Sequence, residues 1–296
     1  MGIKNTIVGL GEILWDILPS GKTLGGAPAN FAYHAQKLGG SSVIVSCVGN
    51  DELGRQIISS LENMDMTSKY LSVDKAHPTG VVSANINNEG EPSYLIQEEV
   101  AWDYIPDTPS LRELAFKCDA VCFGTAAQRF HLSRTTIQTF VGLMGHDSLR
   151  VFDLNLRQNF YSHQVIETSL GLANVFKLNV KELSVVKKLL GLSGDERKLL
   201  NELTRRYNLR LIALTRGKDG SILFSEGNIS KHEGYRVEVE DTVGAGDAFV
   251  AALVTGLLSG YALDDLHNKA NRVASYICSK HGATPSLTNE IRQLFI

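Results

Sequence analysis

The sequence predicts an α/β protein with a doubly wound, mostly parallel sheet flanked by helices and with a small β lid. The first observation is that short apolar runs of strand length alternate with helical patterns, as in a parallel sheet covered on both faces. The second is a β-rich interruption of that alternation at 79–105, and the third is a length of 296 residues with 43% hydrophobic content, enough for a large domain and an appendage. The strand-like runs are 6–12, 42–48, 119–124, 150–154, 173–178 and 209–215, and examples of the helical patterns are 133–145, 181–190, 247–259 and 263–279.

Composition excludes several classes of partner. The formal net charge is -3, and the chain has no block rich in Lys or Arg, so neither a nucleic acid nor an anionic membrane is expected as the main ligand. No apolar stretch reaches transmembrane length, and the first residues lead into a strand-like segment without a signal-peptide pattern. We therefore expect a cytoplasmic protein whose four cysteines, which lack zinc-ligand spacing, are buried and reduced.

The N-terminal region offers a glycine pattern that does not bind a dinucleotide and a second one that begins a helix. Gly9-x-Gly11 lacks the third glycine and the following helix of a dinucleotide fingerprint. Asp16 lies in the next strand-like run, where an acid is more often exposed to solvent than functional. Gly26 precedes a helix with a bare first turn, and Asn30 lies within about one turn of its start, where it can bind a polyol or cap the helix.

The interruption at 79–105 is a predicted β-hairpin whose turn is at 87–90. A hairpin that cannot join a parallel sheet should project from it as a lid, together with 67–73 and part of 13–24. An additional edge hairpin on the main sheet is the alternative.

Polar residues gather where the predicted parallel strands end. They form the patterns Asp153-x-Asn155-x-Arg157, Asn179-x-x-Glu182 and Thr215-Arg216-Gly217. Ligands of doubly wound sheets bind beyond the carboxyl ends of the strands, so these residues predict one cleft. Taken singly, each of them is more often a helix cap or a turn than a site residue.

The segment 241–249 is the most informative stretch of the chain. Its glycine-spaced turn runs directly into an apolar helix, so the N-H groups of Gly244, Ala245 and Gly246 should point outward at a helix N-terminus and bind an anion. An acid, Asp247, ends this turn. It either takes a proton from an attacking hydroxyl or caps the helix, and the turn alone does not decide between these roles.

Taken together, these motifs resemble the ribokinase-like carbohydrate kinases, also called the phosphofructokinase-B family, and within it the bacterial fructokinases. The resemblance rests on 25–30, 49–54 and 241–249, with Asn179-x-x-Glu182, the 215–220 loop and Gly282-Ala283 in the family's order. It spans nearly the whole chain. It implies a single ribokinase-like kinase domain over 1–296, with a lid built from about 13–24, 67–73 and 79–105.

The resemblance also implies roles for individual residues. Asp247 matches the base, and the N-H groups of Gly244, Ala245 and Gly246 match the anion hole for the γ-phosphoryl group of ATP. The positions expected to bind the sugar are Asp16, Gly26, Asn30, Asn155 and Arg157.

On the nucleotide side the resemblance implies an ATP loop and two cation sites. The residues matched to ATP are Asn179, Thr215, Gly217, Gly220, Gly244, Gly246 and Asn271. Glu182 matches a position that organises Mg²⁺ through water, and backbone near Asp241 and Gly282 matches a site for a monovalent cation such as K⁺.

The implied activity is transfer of the γ-phosphoryl group of ATP to a monosaccharide hydroxyl, with fructose the first candidate. Ribose, 2-keto-3-deoxygluconate and nucleosides are substrates on the same scaffold, and the lid run 94–103 lacks an arginine that many fructokinases have there. An inactive sugar- or nucleotide-sensing module is the alternative from another class. Because an isolated hairpin is marginal in water and the family precedent is a dimer of lids, we expect a homodimer through the lid.

Overall fold

The structure is a computed structural model that describes residues 5–18, 21–86, 92–225 and 227–295. The strands are β1 (Thr6–Leu10), β2 (Leu14–Leu18), β3 (Gly21–Gly25), β4 (Ser41–Gly49), β5 (Leu71–Asp74), β6 (Val81–Ile86), β7 (Pro92–Ile96), β8 (Ala120–Phe123), β9 (Leu149–Asp153), β10 (Val175–Asn179), β11 (Leu211–Thr215), β12 (Ser221–Ser225) and β13 (Asn228–His232). The helices are α1 (Ala27–Lys37), α2 (Glu52–Asn63), α3 (Pro109–Lys117), α4 (His131–Leu143), α5 (His163–Leu172), α6 (Val180–Leu189), α7 (Glu196–Tyr207), α8 (Ala245–Leu258), α9 (Leu263–Cys278) and α10 (Asn289–Arg292).

The large sheet confirms the predicted fold class. Its nine strands follow the order β13, β12, β11, β10, β9, β8, β1, β4, β5. All pairs from β11 to β5 are parallel, whereas β12 and β13 pair antiparallel at one edge. The strand order reverses beside β1, which lies between β4 and β8, so the carboxyl ends of these strands open onto a crevice.

Both faces of the large sheet are covered, because successive residues of its strands point to opposite sides. Phe152 of β9 and Phe176 of β10 stack with ring centroids 5.6 Å apart, on the face covered by α3 to α7. Val151 and Val175 lie on the other face, under α1, α8 and α9. The helix that carries the glycine turn therefore packs directly on the centre of the sheet.

A second sheet forms the predicted lid, with the strand order β3, β2, β6, β7. Asp16 is opposite Val82, whereas the next residue, Ile17, is opposite Ser83, which is itself opposite Leu95. Asp16 and Ile17 therefore point to opposite faces of the lid. The predicted turn at 87–90 and residues 19–20 lie outside the described residues.

The segment 67–73 does not join the lid, contrary to our expectation. Its last residues belong to β5, which pairs in parallel with β4 at the edge of the large sheet. The reason is apolar packing: Leu71 and the preceding Met66 are 9% and 3% exposed and pack with Ile57 and Leu61 of α2. This packing places the segment on the large sheet.

The cysteines and the helices bear on two further expectations. Three cysteines are buried and Cys278 is partly exposed, and all four are free thiols. In the part of the chain that the structure describes, none of the helices is long and apolar enough to cross a membrane.

Candidate active site

The glycine turn ends at the N-terminus of α8. Gly244 is the N-cap with φ 77°, a left-handed conformation that favours glycine. The first helical hydrogen bond runs from the N-H of Ala248 to the carbonyl of Gly244 at 2.9 Å. The N-H groups of Gly246 and Asp247 precede that bond, so the helix itself supplies no acceptor for them. The N-H of Ala245, in contrast, contacts the carbonyl of Thr242 at 3.4 Å, and anion binding by this turn stays a prediction.

Close packing explains why the turn uses small residues. A Cβ atom on Gly244 would collide with the carbonyl oxygen of Ala283. The loop containing Ala283 is held in place by Asp241, whose Oδ2 accepts from the N-H of Gly282 at 3.1 Å and whose Oδ1 accepts from the N-H of Val243 at 3.0 Å. The structure therefore brings Asp241 and Gly282 together, as expected for two parts of one site.

Asp247 is the third residue of α8, and its side chain does not cap that helix. Its Oδ2 instead accepts a hydrogen bond of 2.8 Å from Nδ2 of Asn30 on α1. Burial raises the pKa of Asp247, while the Asn30 hydrogen bond and the cations Lys177 and Arg157 oppose that rise. This carboxylate is therefore positioned by a neighbouring helix, which the capping interpretation does not explain.

Helix α1 also contacts the loop behind the turn. His34 lies one helical turn after Asn30, and its Nε2 is 2.8 Å from the carbonyl oxygen of Ala283. Burial lowers the pKa of His34 to about 4, so the ring is neutral near pH 7 and Nε2 is the nitrogen that carries the proton and donates. One face of α1 thus holds both the carboxylate of Asp247 and the loop that packs on Gly244.

The other residues expected to bind a sugar surround the same crevice. Gly26 is the N-cap of α1 with φ 111°, and a Cβ atom there would collide with the carbonyl oxygen of Glu12. Asp16 on the lid is partly buried, and burial raises its pKa while Arg157 opposes the rise. Asn155 follows β9 with φ 40°, and Arg157 is exposed.

Glu182 anchors the loop that carries Asn155 and Arg157. It is 6% exposed, and its Oε1 accepts from the N-H of Leu156 at 2.9 Å. Its Oε2 accepts from the N-H of Asn179 at 2.8 Å, and Asn179 in turn accepts from the N-H of Glu182 at 3.0 Å, which forms a capping box at the start of α6. Asn179 and Glu182 are therefore adjacent to the loop that carries Asn155 and Arg157.

The predicted nucleotide loop begins beside this capping box. Thr215 ends β11 opposite Asn179 of β10. Gly217 and Gly220 follow with φ 59° and 80°, and a side chain at Gly220 would collide with the backbone of His232. Asn271 lies on α9, beside Ser221 at the start of β12.

The side chain of Asn271 is occupied within the protein. It is 5% exposed; its Nδ2 donates to the carbonyl of His267 at 2.8 Å and its Oδ1 accepts from the hydroxyl of Ser221 at 3.0 Å. Its predicted place at the adenine side stays a prediction.

Comparison with known proteins identifies the family to which this site belongs. A model of the pfkB family of carbohydrate kinases matches residues 20–290. The chain belongs to this family. It is therefore a carbohydrate kinase, a phosphotransferase that uses an alcohol group as acceptor.

Individual relatives agree with this assignment. The kinase is 31% identical to a fructokinase of Escherichia coli over 275 residues, which covers 86% of each protein. It is 28% identical, with a TM-score of 0.81 and coverage of 94% of each chain, to the structure of an uncharacterized sugar kinase from Pyrococcus horikoshii in complex with ATP. A fructokinase from Vibrio cholerae O395 in a fructose-, ADP- and calcium-bound form shares the fold, with a TM-score of 0.81, 24% identity and 98% coverage of each chain.

Sequence reasoning missed two charged residues of the kinase's site. Lys177 is 7% exposed in β10, and its Nζ lies 2.9 Å from Oδ1 and 3.2 Å from Oδ2 of Asp153, directly opposite it on β9. A lysine inside the apolar run 175–178, in a strand predicted to be buried on both faces, was the signal that could have revealed it.

Glu12 is the second residue that was missed. It follows β1, is 7% exposed, and borders a cavity of about 10 Å³ that is also lined by Asp153 and Asn155. Burial raises the pKa of Glu12 to about 7, and among the described residues its Oε2 has no hydrogen-bond partner. No local sequence pattern marks Glu12, because its burial depends on the packing of α1 against the end of β1.

Proposed function

We propose that this carbohydrate kinase transfers the γ-phosphoryl group of ATP to a hydroxyl group of a monosaccharide, with fructose as the first candidate. The observation that carries the proposal is the hydrogen bond between Asn30 and Asp247 at the N-terminus of α8. It joins a residue matched to sugar binding with the residue matched to the base, and both lie at a helix end suited to an anion.

Asp247 would take the proton of the attacking hydroxyl, since a carboxylate within reach of that hydroxyl can act as a general base. The N-H groups of Gly244, Ala245 and Gly246 would stabilise the negative charge on the transferring phosphoryl group. The turn contributes no side chain beyond a methyl group between Gly244 and Gly246, so a phosphate can approach its backbone closely.

The sugar would lie between the lid and α1. Asp16, Gly26 and Asn30 would bind its hydroxyl groups from one side, and Asn155 and Arg157 from the side of β9. Fructose is favoured because the Escherichia coli relative is a fructokinase, and the Vibrio cholerae fold neighbour carries fructose. Ribose, 2-keto-3-deoxygluconate and a nucleoside are the competing acceptors.

ATP and its cations would lie on the side of β10 and β11. Asn179, Thr215, Gly217, Gly220 and Asn271 are the proposed nucleotide residues. The Pyrococcus horikoshii neighbour, whose complex contains ATP, supports this cofactor.

The residues present fit a magnesium ion that keeps its own waters. Both oxygens of Glu182 accept one backbone N-H each, which leaves lone pairs for water. Mg²⁺ would neutralise charge on the phosphates. Carbonyl groups near Asp241 and Gly282 would hold K⁺.

We further propose a cytoplasmic homodimer. Four free cysteines suit a reducing compartment. Ile17 and Leu95 are 40% and 52% exposed, lie in one row across the lid, and offer an apolar surface to a second lid.

A panel of acceptors tests the activity directly. Fructose, ribose, 2-keto-3-deoxygluconate and adenosine are each offered with ATP and Mg²⁺, and the release of ADP is measured. We expect fructose to give the highest kcat/KM, and Asp247→Asn serves as the blank for contaminating kinases. If another acceptor gives a higher kcat/KM than fructose, that acceptor replaces fructose as the proposed substrate. If no acceptor leads to release of ADP, the protein is better explained as a sensing module.

A further inference from the structure

Lys177 is a buried cation that none of the roles above uses. Its ammonium group contacts both carboxylate oxygens of Asp153, at 2.9 and 3.2 Å. Burial by itself lowers the pKa of this lysine, but Asp153, Glu182 and Asp247 together raise it, so the group is charged near neutral pH. Burial raises the pKa of Asp153 to about 6 against the pull of Lys177, so the two residues form an ion pair near pH 7.

The same ammonium group lies directly below the glycine turn. A Cβ atom built on Gly246 would be 3.3 Å from Nζ of Lys177, which is tighter than nine in ten real contacts of a Cβ atom, so the ammonium group would have to shift slightly. The second glycine of the turn therefore leaves room for the lysine as well as for the phosphate. No other cation that we have placed in the site is buried, because Arg157 is exposed.

Several charged and titratable groups face this centre from different elements. Those that act on Asp247, Lys177 or both are Glu12 after β1, Cys122 on β8, Asp153 on β9, Arg157 after β9, Glu182 on α6 and Asp247 itself on α8. Four of the six are carboxyl groups, and the incoming phosphates add further negative charge. Because Lys177 is buried, its field is screened less by water and salt than that of the exposed Arg157.

We propose that Lys177 is a positioning residue for phosphoryl transfer, whose ammonium group, held by Asp153 below Gly246, gives the turn a permanent positive charge and keeps Asp247 ionised. This inference rests on the proposed function. The alternative is a purely structural role, in which Lys177 only neutralises the buried carboxylate of Asp153. The two differ because a buried ion pair can be replaced as a unit with little loss of stability, whereas the field on Asp247 is lost with the lysine.

The test removes the pair together. In Asp153→Asn/Lys177→Met no buried charge is left without its partner, so we expect a melting temperature close to that of the wild type. The reference is Asp153→Asn, which differs from the double variant only in the lysine, because loss of the Asp153 charge alone lowers the pKa of Asp247. Relative to it we expect kcat to fall at least about tenfold at neutral pH, the acid limb of the kcat profile to move up by roughly one pH unit, and the sugar KM to change less than about threefold. Lys177→Arg, which keeps the charge, should move the limb least.

The matched control is Lys188→Met on α6, which removes an exposed lysine by the same substitution and should leave kcat and the acid limb unchanged. Lys177→Gln keeps a hydrogen-bond donor for Asp153 while removing the positive charge. If the double variant does not fold, the acid limb of the kcat profile is measured in this variant instead. An acid limb in the folded double variant that matches the limb of Asp153→Asn overturns the proposal, because Lys177 then only neutralises Asp153.

A readout without turnover separates this inference from the proposed function. The carboxyl group of Asp247 is titrated by ¹³C NMR, with its signal assigned from Asp247→Asn. We expect the pKa of Asp247 to be roughly one unit higher in the double variant than in Asp153→Asn, and to be the same in Lys188→Met as in the wild type. If the wild type phosphorylates no acceptor, the proposed function fails, and this titration still decides the effect of Lys177: equal pKa values in the double variant and in Asp153→Asn overturn it.

Discussion

The side-chain amide of Asn30 donates a hydrogen bond of 2.8 Å to Oδ2 of Asp247, a residue 217 positions later in the chain. A donor that bonds the ionised carboxylate favours that form, so Asn30 opposes the rise in pKa that burial causes. Asn30, the residue matched to sugar binding, therefore also helps to keep Asp247, the residue matched to the base, in its ionised form.

Replacing Asp247 by Asn tests the base. The variant keeps the shape of the side chain but cannot accept the hydroxyl proton, so we expect kcat to fall by roughly 10² to 10⁴ with little change in sugar affinity. Steady-state kinetics and calorimetric binding of the sugar measure the two effects. Near-normal turnover would remove Asp247 from the mechanism.

Gly244→Ala tests the turn. The added methyl group would collide with the carbonyl of Ala283 at a residue with φ 77°, so we expect loss of ATP turnover with sugar binding retained. Gly260→Ala is the matched control: Gly260 has φ 72° and no atom within 4 Å of its Cβ position, so only backbone strain of about 1 to 2 kcal/mol is expected there. Equal ATP turnover in the two variants would contradict the anion-hole assignment.

Glu182 combines an anchoring role that the structure shows with a proposed magnesium role. Glu182→Ala removes the acceptor of two backbone N-H groups as well as the charge, whereas Glu182→Gln keeps one amide oxygen as an acceptor. If Mg²⁺ depends on the charge, both variants should need about tenfold more free Mg²⁺ for half-maximal rate, with a smaller loss of kcat than in Asp247→Asn. Rates are measured against free Mg²⁺ at constant ATP. An unchanged magnesium requirement in both would leave Glu182 as an anchor only.

The buried carboxyl group of Glu12 should make stability depend on pH. Burial raises its pKa from 4.5 to about 7, so the folded state holds this proton more tightly than the unfolded state. Its stabilising contribution is complete below pH 4.5 and is lost as the pH rises through 7. Glu12→Gln cannot lose the proton, so its free energy of unfolding relative to the wild type should rise across that window by up to about 3 kcal/mol.

Urea unfolding at a series of pH values measures this difference. The control is Glu62→Gln on α2, where the side chain is exposed and no such trend is expected. A difference between Glu12→Gln and wild type that stays flat from pH 4.5 to 7 would show that the carboxyl group is ionised in the folded protein.

Light scattering at micromolar concentration tests the lid dimer. Leu95→Glu places a charge in the exposed apolar row of the lid and should give a monomer. Phe116→Glu is the control, since Phe116 is 65% exposed on α3, outside the lid, and should leave the dimer intact. A fully active wild-type monomer, or a Leu95→Glu variant that still dimerises, would place the interface elsewhere or remove it.

Strand β9 and helix α9 were predictable because each is determined by a local pattern. The predicted strand 150–154 is β9 at Leu149–Asp153, and the predicted helix 263–279 is α9 at Leu263–Cys278. The prediction that 67–73 joins the lid was wrong. The position of this segment depends on packing against α2 and on pairing with the free edge of β4, and neither can be recognised from the sequence of the segment itself.

The site was predictable where a motif determines backbone shape and much less so where charges meet across strands. The turn at Gly244 was evident, since glycine spacing before an apolar helix is a local signal. The pairing of Lys177 with Asp153 depends on strand register, because the two residues lie directly opposite each other on β10 and β9. The isolation of Glu12 depends on the packing of α1, which sequence patterns do not encode.

The pairing of early with late segments of the chain affects how the molecule is made. The N-H of Thr6 at the start of β1 donates to the carboxylate of Asp119, which is 113 residues later in the chain. Asn30 on α1 likewise donates to Asp247 on α8, which is synthesised much later. At a synthesis rate of about 5 to 20 residues per second, a nascent chain holds Asn30 for roughly 10 to 40 s before Asp247 leaves the ribosome. During that interval the apolar face of α1, with Phe31 and Ala35, has no cover from α8. The arrangement that joins the two halves of the site thus leaves the nascent chain dependent on protection from aggregation.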